Sequence, residues 1–427
     1  MQPRGVDGCI HRRGVNRCAT GRFVASPDDV AVSPDGRHVY VAAYGSDALA
    51  LFARERRTGH LRQLPRTRGC VHHVGSRPTG CTRARALGGP AALAISPDGR
   101  NVYVASASSD ALSVFARNRR TGRLRQLDGA AGCFSQRPGG GCAPARALNE
   151  PTSVAVSPDG ERVYVAGRRF PSAVAIFDRG AGGALSQAAG AAGCVSHGGG
   201  SDCAVARALS APEEVAVTPD SRHVLVAASR SSAVVVLQAG PNGLSQPAGA
   251  AGCIARGGGP EGCAPGKALA GAVDLAINRD GRHVYVASAV ADAVAVLDRD
   301  RASGALSQSS TRRGCIGQRG HAGRCERGRG LDEVWGIGLS PDGRNLYAVS
   351  SKVNVLGAMT RNRVSGRLTQ LPARFGCFIR AGGFGCAEGR GLTVAVAVAV
   401  SPDGRNVYVA SEDVYLGSVA IFRRIGG

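Results

Sequence analysis

Short runs of β-branched and aliphatic residues alternate with polar turn clusters along the whole chain, and the alternation is periodic. A run such as Val30-Ala31-Val32 leads into Ser33-Pro34-Asp35-Gly36 and then into the apolar run His38-Val39-Tyr40-Val41-Ala42. Pro fixes φ and Gly accepts the positive φ that closes a hairpin, so the phrase predicts a tight turn between two antiparallel strands. It recurs seven times, at 33–36, 96–99, 157–160, 218–221, 278–281, 340–343 and 401–404, with spacings of 63, 61, 61, 60, 62 and 61 residues. A third run follows in most repeats, as at 48–52, 111–115 and 173–177, and then a turn such as Thr58-Gly59 with a brief fourth run such as Leu61-Arg62-Gln63-Leu64.

Four antiparallel strands per unit, repeated seven times, predict an all-β fold: a seven-bladed β-propeller, in which no blade buries both faces until its neighbours stack on it. The position two before each turn is always small (Ala31, Ala94, Ala155, Ala216, Ala276, Gly338, Ala399), as packing near the axis of a closed ring demands. The chain stops in a third run, Ser418 to Phe422, and opens at Gln2-Pro3 on a stretch that aligns with Gln246 to Cys253 of another repeat. An N-terminal segment that completes the last blade accounts for both ends. The expected organisation is one domain, 1–427, with blades near 22–84, 85–145, 146–206, 207–266, 267–328, 329–389, and 390–427 closed by 1–21. Only Met1 and Gln2 of the closing strand are present, so the true start is expected upstream.

The 14 cysteines fall two per repeat. Repeat symmetry favours seven local disulfides, Cys9-Cys18, Cys70-Cys81, Cys133-Cys142, Cys194-Cys203, Cys253-Cys263, Cys315-Cys325 and Cys377-Cys386, which staple Gly-rich loops between blades expected to lack secondary structure. No close C-x-x-C pairs assemble a zinc cage, and neither metal nor cofactor is expected. Disulfides imply an extracytoplasmic protein, secreted or at the cell surface, although the stretch that begins at Met1 has no signal-peptide pattern.

Composition narrows the classes. Hydrophobic residues make up 43% and charged residues 20%, enough apolar material for a core. No apolar run approaches the length of a membrane span, the longest being 394–400. The net charge is +22, and of 53 basic residues only Lys267 and Lys352 are lysines, leaving 51 arginines. Codon bias of a GC-rich genome and selection for an anionic partner both account for this excess. Its distribution favours the partner: the segments from each first cysteine to the basic residue four beyond the second carry +14 of the +22. Those basic residues, Arg22, Arg85, Arg146, Arg207, Lys267, Arg329 and Arg390, form a ring by symmetry, read either as loop caps on carbonyls or as an anion-binding rim. The loops of repeats six, seven, one, two and three make a basic crescent. An anionic small molecule or polymer, or a protein, is the expected partner of a monomer. Nucleic acid is disfavoured by only 4% aromatic residues.

Departures from the repeat mark where a specific pocket is built. Asp28, Asp29, Glu150, Glu213, Glu214, Asp274, Asp332 and Glu333 approach the first strands, with the single tryptophan, Trp335, beside them. Asp29 and Glu214 are the candidate catalytic carboxylates and Trp335 a candidate ligand contact. Adjacent strand residues point to opposite faces, so Glu213 and Glu214 share a site only if the strand bulges there. His38, His223 and His283 occupy equivalent turn positions and are expected to be solvated.

The phrase Ser-Pro-Asp-Gly-Arg-x-Val-Tyr-Val-Ala at 33–42 and 401–410, with Val-x-Val-Phe and the hairpin Thr121 to Leu124, resembles the lactonase-type seven-bladed propeller family. That family includes 6-phosphogluconolactonase-like enzymes and Tyr-Val-Thr-Asn (YVTN) repeat proteins of cell surfaces. The resemblance implies the propeller and, for the enzymes, hydrolytic opening of lactones. It carries no catalytic residue onto this chain, and the cysteine loops depart from the cytosolic enzymes. Three readings follow: an extracytoplasmic propeller that binds an anionic ligand through its basic loop face; a lactone hydrolase, with a ring arginine polarising the carbonyl and a carboxylate activating water; and a structural surface protein.

Overall fold

The computed structural model describes the chain except residues 16, 77–79, 138, 200–201, 260, 322, 413–416 and 425–427. In the first blade the inner strand Pro27–Val32 pairs antiparallel with His38–Ala43, which pairs with Ala48–Arg54. Six further sheets repeat this order and complete the seven-bladed propeller. Each turn is tied by its own side chains. The Ser33 hydroxyl donates to Asp35 (2.6 Å) and accepts from the His38 N–H (3.0 Å), while Gly36 adopts φ +66°. Thr218 and Asn278 make the same ties in their repeats, so the departures there preserve the chemistry.

The outer position, expected as one short strand, is filled twice in six of the seven blades. Leu61–Gln63 pairs with the far end of the third strand and Cys70–His73 with its near end. Thr82–Ala84 then adds a strand parallel to Cys70–His73. The cysteine segments are therefore part of the sheets and not irregular loops. All seven local disulfides form, with Cα–Cα distances of 4.7 to 5.0 Å. No helix among the described residues is long and apolar enough to cross a membrane.

The ring closes through the N-terminal segment. Cys9–His11 pairs antiparallel with Ser418–Arg423 at Cys9↔Ala420, and Met1 exchanges two main-chain hydrogen bonds with Arg423. Apolar side chains of adjacent blades pack together along the seams. Buried tyrosines Tyr40, Tyr103, Tyr285 and Tyr408 each receive an arginine from the third strand of the following blade: Arg117, Arg179, Arg361 and Arg54. Arg54 has a fully buried side chain and also bonds the Gly36 carbonyl, Asn406 and Asp403, the last at 3.0 Å, so it joins the first blade to the last. The seam from the third to the fourth blade has Ala239 at this position. The turn histidines belong to the same network, contrary to the solvated positions expected of them. His38, His223 and His283 are buried against Arg117, Arg299 and Arg361, and each lies under a glycine (Gly122, Gly304, Gly366) where a Cβ would collide with the ring.

Two outcomes test these roles. Arg54→Met strips Asp403 and Asn406 of their partner and should lower unfolding free energy by roughly 3 kcal/mol, the lower end for a buried pair because Asp403 keeps some access to water. Removing one staple, with Cys70→Ala and Cys81→Ala together, should cost about 2.5 to 3 kcal/mol by the chain-entropy account. Denaturant unfolding reads both, and an unchanged midpoint in either variant means that the seam or the staple does not stabilise the ring.

Candidate functional site

Inner strands meet at the axis, and what lines the axis depends on how each strand begins. In all seven blades the register shifts within the first residues of the inner strand, between Pro27 and Asp29 in the first and between Pro212 and Glu214 in the fourth. The bulge supplies the condition under which adjacent residues share a site. Asp28 with Asp29, and Glu213 with Glu214, accordingly line one central cavity of about 1000 Å³.

Opposite walls of this cavity differ. Asp29, Glu214 and Asp274 come from equivalent positions of blades one, four and five, and Ser153 from blade three. Blades two, six and seven place Ala92, Gly336 and Ala397 there. A Cβ at Gly336 would lie 2.4 Å from the Val396 carbonyl, so the close approach of blades six and seven requires glycine. Trp335, Val396 and Val398 make the apolar wall beside it.

The carboxyls differ in what they do locally. Asp29 accepts from the Val30 N–H (2.7 Å) and, across the seam, from the Leu93 N–H (2.9 Å). Asp274 accepts from the Ile337 N–H (2.6 Å) in the same way. Both satisfy backbone donors on the unpaired inner edge of the first strand, which lies at the end of its sheet. Burial pushes Asp29 up to about 6 against those two hydrogen bonds. Burial and then the Asp274 charge raise Glu214 well above the usual carboxylate range, with Asp29 adding to the rise. Asp274 is raised by burial and by Asp29. At the mouth, burial followed by Glu412 and Asp29 pushes Asp28 up to about 8.

One edge of the mouth carries positive charge. Arg168 contacts Glu150 and lies 3.6 Å from Glu213, whose other oxygen accepts from Ser229 at 2.8 Å. Arg169 also contacts Glu150, and Lys352 pairs with Asp332 at 3.3 Å. Sequence reasoning missed Arg168 and Glu412. The signal was the residue that ends the second strand's repeat, Tyr44, Ala107, Arg168, Ser229, Ala289, Ser351 and Glu412, which varies while its neighbours do not.

The seven basic ring residues are not at this site. Each reaches main-chain carbonyls on the outer part of the blade it leads into: Arg85 to Gly129 and Gly141, Arg146 to Ala188 and Gly190, Lys267 to Ser310, Arg390 to Pro3, Gly5 and Arg17. Arg22, Arg207 and Arg329 bond Arg66, Gly249 and Leu371 likewise. A glutamine seven residues before each first cysteine completes the clamp, as Gln63 does by accepting from the Arg22 N–H and donating to the Arg22 and Gly69 carbonyls. Gln2 does this for Arg390 in the closing blade.

Residues 17–135 match the family model described as Lactonase, 7-bladed beta-propeller. No curated protein matches the chain. Among solved structures, the periplasmic gluconolactonase PpgL of Pseudomonas aeruginosa superposes with a TM-score of 0.58 at 19% identity, covering 88% of each chain. A candidate 6-phosphogluconolactonase from Bacteroides fragilis gives 0.58 at 19%, covering 88% of this chain and 86% of that one. Hydrazine synthase of Kuenenia stuttgartiensis gives 0.56 at 14%, over 96% of this chain and 99% of that chain. At such identities likeness speaks for fold, and many chemistries share this scaffold. The chain is a seven-bladed β-propeller whose residues 17–135 are similar to the lactonase-type repeat.

Proposed function

We propose that the protein hydrolyses an uncharged lactone in the central cavity, with Glu214 as general base. The observation that carries this reading is the group of buried carboxyls converging at the axis, raised by burial to about 6 at Asp29 and about 7 at Asp274 and well above the usual carboxylate range at Glu214. Glu214 is the longest of the three and, unlike Asp29 and Asp274, serves no main-chain donor among the described residues. Water attacks the carbonyl carbon as Glu214 takes its proton. The ring C–O bond then breaks and the proton passes to the departing alkoxide, leaving a hydroxy acid. Asp29 and Asp274 set the basicity of Glu214 by position and charge. Arg168 takes the carbonyl-polarising part expected of a ring arginine, since no ring residue lines the cavity. Eight carboxyl side chains around the cavity disfavour a phosphorylated lactone and repel the carboxylate product. The gluconolactonase among its structural relatives and the seven disulfides agree with an uncharged sugar lactone met outside the cytoplasm.

Gluconolactone hydrolysis, corrected for the spontaneous rate, should rise with pH through the range where the buried carboxyls ionise. Glu214→Gln should lower kcat/KM by roughly a hundredfold or more, the usual worth of a general base. Asp274→Asn should move the pH limb to lower values, because it removes a neighbouring negative charge. Full activity in Glu214→Gln, or no hydrolysis across neutral lactones, overturns the assignment.

The same groups act on stability. A carboxyl raised by folding binds more protons folded than unfolded between its ordinary value and its folded value, so stability falls as pH rises through that interval. The turn histidines are lowered by burial and then by their arginines, His38 to about 4, and favour the folded state as pH rises toward 6.5. Beyond 6.5, toward the value of about 8 at Asp28, the carboxyls dominate and the denaturant midpoint should fall. Asp28→Asn should flatten that decline, and an identical slope in the variant contradicts the shift.

A further inference from the structure

The arginine excess has a second concentration that neither the seams nor the ring explains. Where the ring closes, a crevice of about 980 Å³ opens between the outer part of the sixth blade and the N-terminal segment that completes the seventh. Arg374 and Arg380 stand on one wall, and Arg4 and Arg17 on the other, with Arg390 between. The first four are exposed, and none makes an ion pair among the described residues. Arg390 is spent on carbonyls. Glu388 is the only acidic residue among the described lining. Four like charges facing one concave space repel one another.

The equivalent crevice one seam back is less basic. It is smaller, about 640 Å³, and is lined by Arg319, Arg327 and Arg329 with Glu326, which is paired with Arg367 at 2.8 Å. The closing crevice also has an aromatic floor. Phe375 is 44% exposed beneath Arg374, whose guanidinium lies 5.5 Å from the ring centre, whereas Phe378 packs on Phe422.

We propose that this crevice binds an acidic polysaccharide, its carboxylates held by guanidinium groups from both walls and a sugar face resting on Phe375. Guanidinium matches carboxylate bidentately, and one open phenyl ring suits a sugar face better than a run of stacked bases. The crevice shares only Thr393 with the lining of the central cavity and none of its carboxyls, so the proposal stands apart from lactone hydrolysis.

Fluorescently labelled oligogalacturonate is the probe, with anisotropy read at low and high salt. The wild-type protein should bind with salt-sensitive affinity. The variant Arg4→Ser, Arg17→Asn, Arg374→Ser, Arg380→Ser should weaken binding by roughly tenfold or more, as loss of several charge-assisted contacts requires. Neutralising the exposed Arg222, Arg279, Arg282 and Arg301 on the turn face removes the same charge and should change affinity less than about threefold, the scale of long-range attraction alone. Gluconolactone hydrolysis should be the same in both variants and wild type. Equal losses in the two variants would mean diffuse charge attraction and overturn the site. So would absence of binding at low salt, or tighter binding of a single-stranded oligodeoxynucleotide of equal charge.

Discussion

Everything in this molecule depends on closing the ring. A blade of three long strands with short outer segments has two apolar faces and can bury them only between neighbours, so an open stack would leave a face exposed at each end. Closure joins chain positions that lie more than 340 residues apart: Arg54 reaches Asp403, Asn406 and Tyr408, and Cys9–His11 takes its place on Ser418–Arg423. Main-chain pairing supplies the outer contact and a buried guanidinium the inner one. Guanidinium serves here because its planar fork engages a hydroxyl, a carbonyl and a carboxylate together, which a lysine at the same point would not.

That use of arginine changes the meaning of the composition. Six arginines tie or approach the seams (Arg54, Arg117, Arg179, Arg299, Arg361, Arg424), and six more cap outer loops with Lys267 as the seventh. A share of the +22 is therefore architectural, spent on carbonyls and paired carboxylates inside the fold. The cavity at the axis has the opposite character, eight carboxyls in a strongly basic protein. Charge counted along the chain and charge met by a molecule entering the cavity are different quantities, because side chains that alternate in sequence face different surfaces.

The repeat was legible because every blade solves the same packing problem with the same residues. Ser33, Asp35 and Gly36 announce the hairpin through their own hydrogen bonds and backbone preference, and cysteine spacing announces the staples. Asp29, Glu214 and Trp335 were visible as departures from that repeat, and they do meet. The bulge that lets Glu213 and Glu214 share a cavity was not visible, since no residue type is specific to it. Neither was the burial of His38, which depends on Arg117 in the next blade.

Local sequence thus determined the number of blades, the turns, the disulfide partners and the positions at which symmetry is broken, because each rests on contacts within one repeat of about sixty residues. Tertiary structure alone decided that the basic ring faces carbonyls, that the odd carboxyls converge at the axis, and that four arginines confront one another where the ends meet. Those outcomes are set by which blades become neighbours and how closely they approach. Only a closed ring brings the first residues of the chain beside the last.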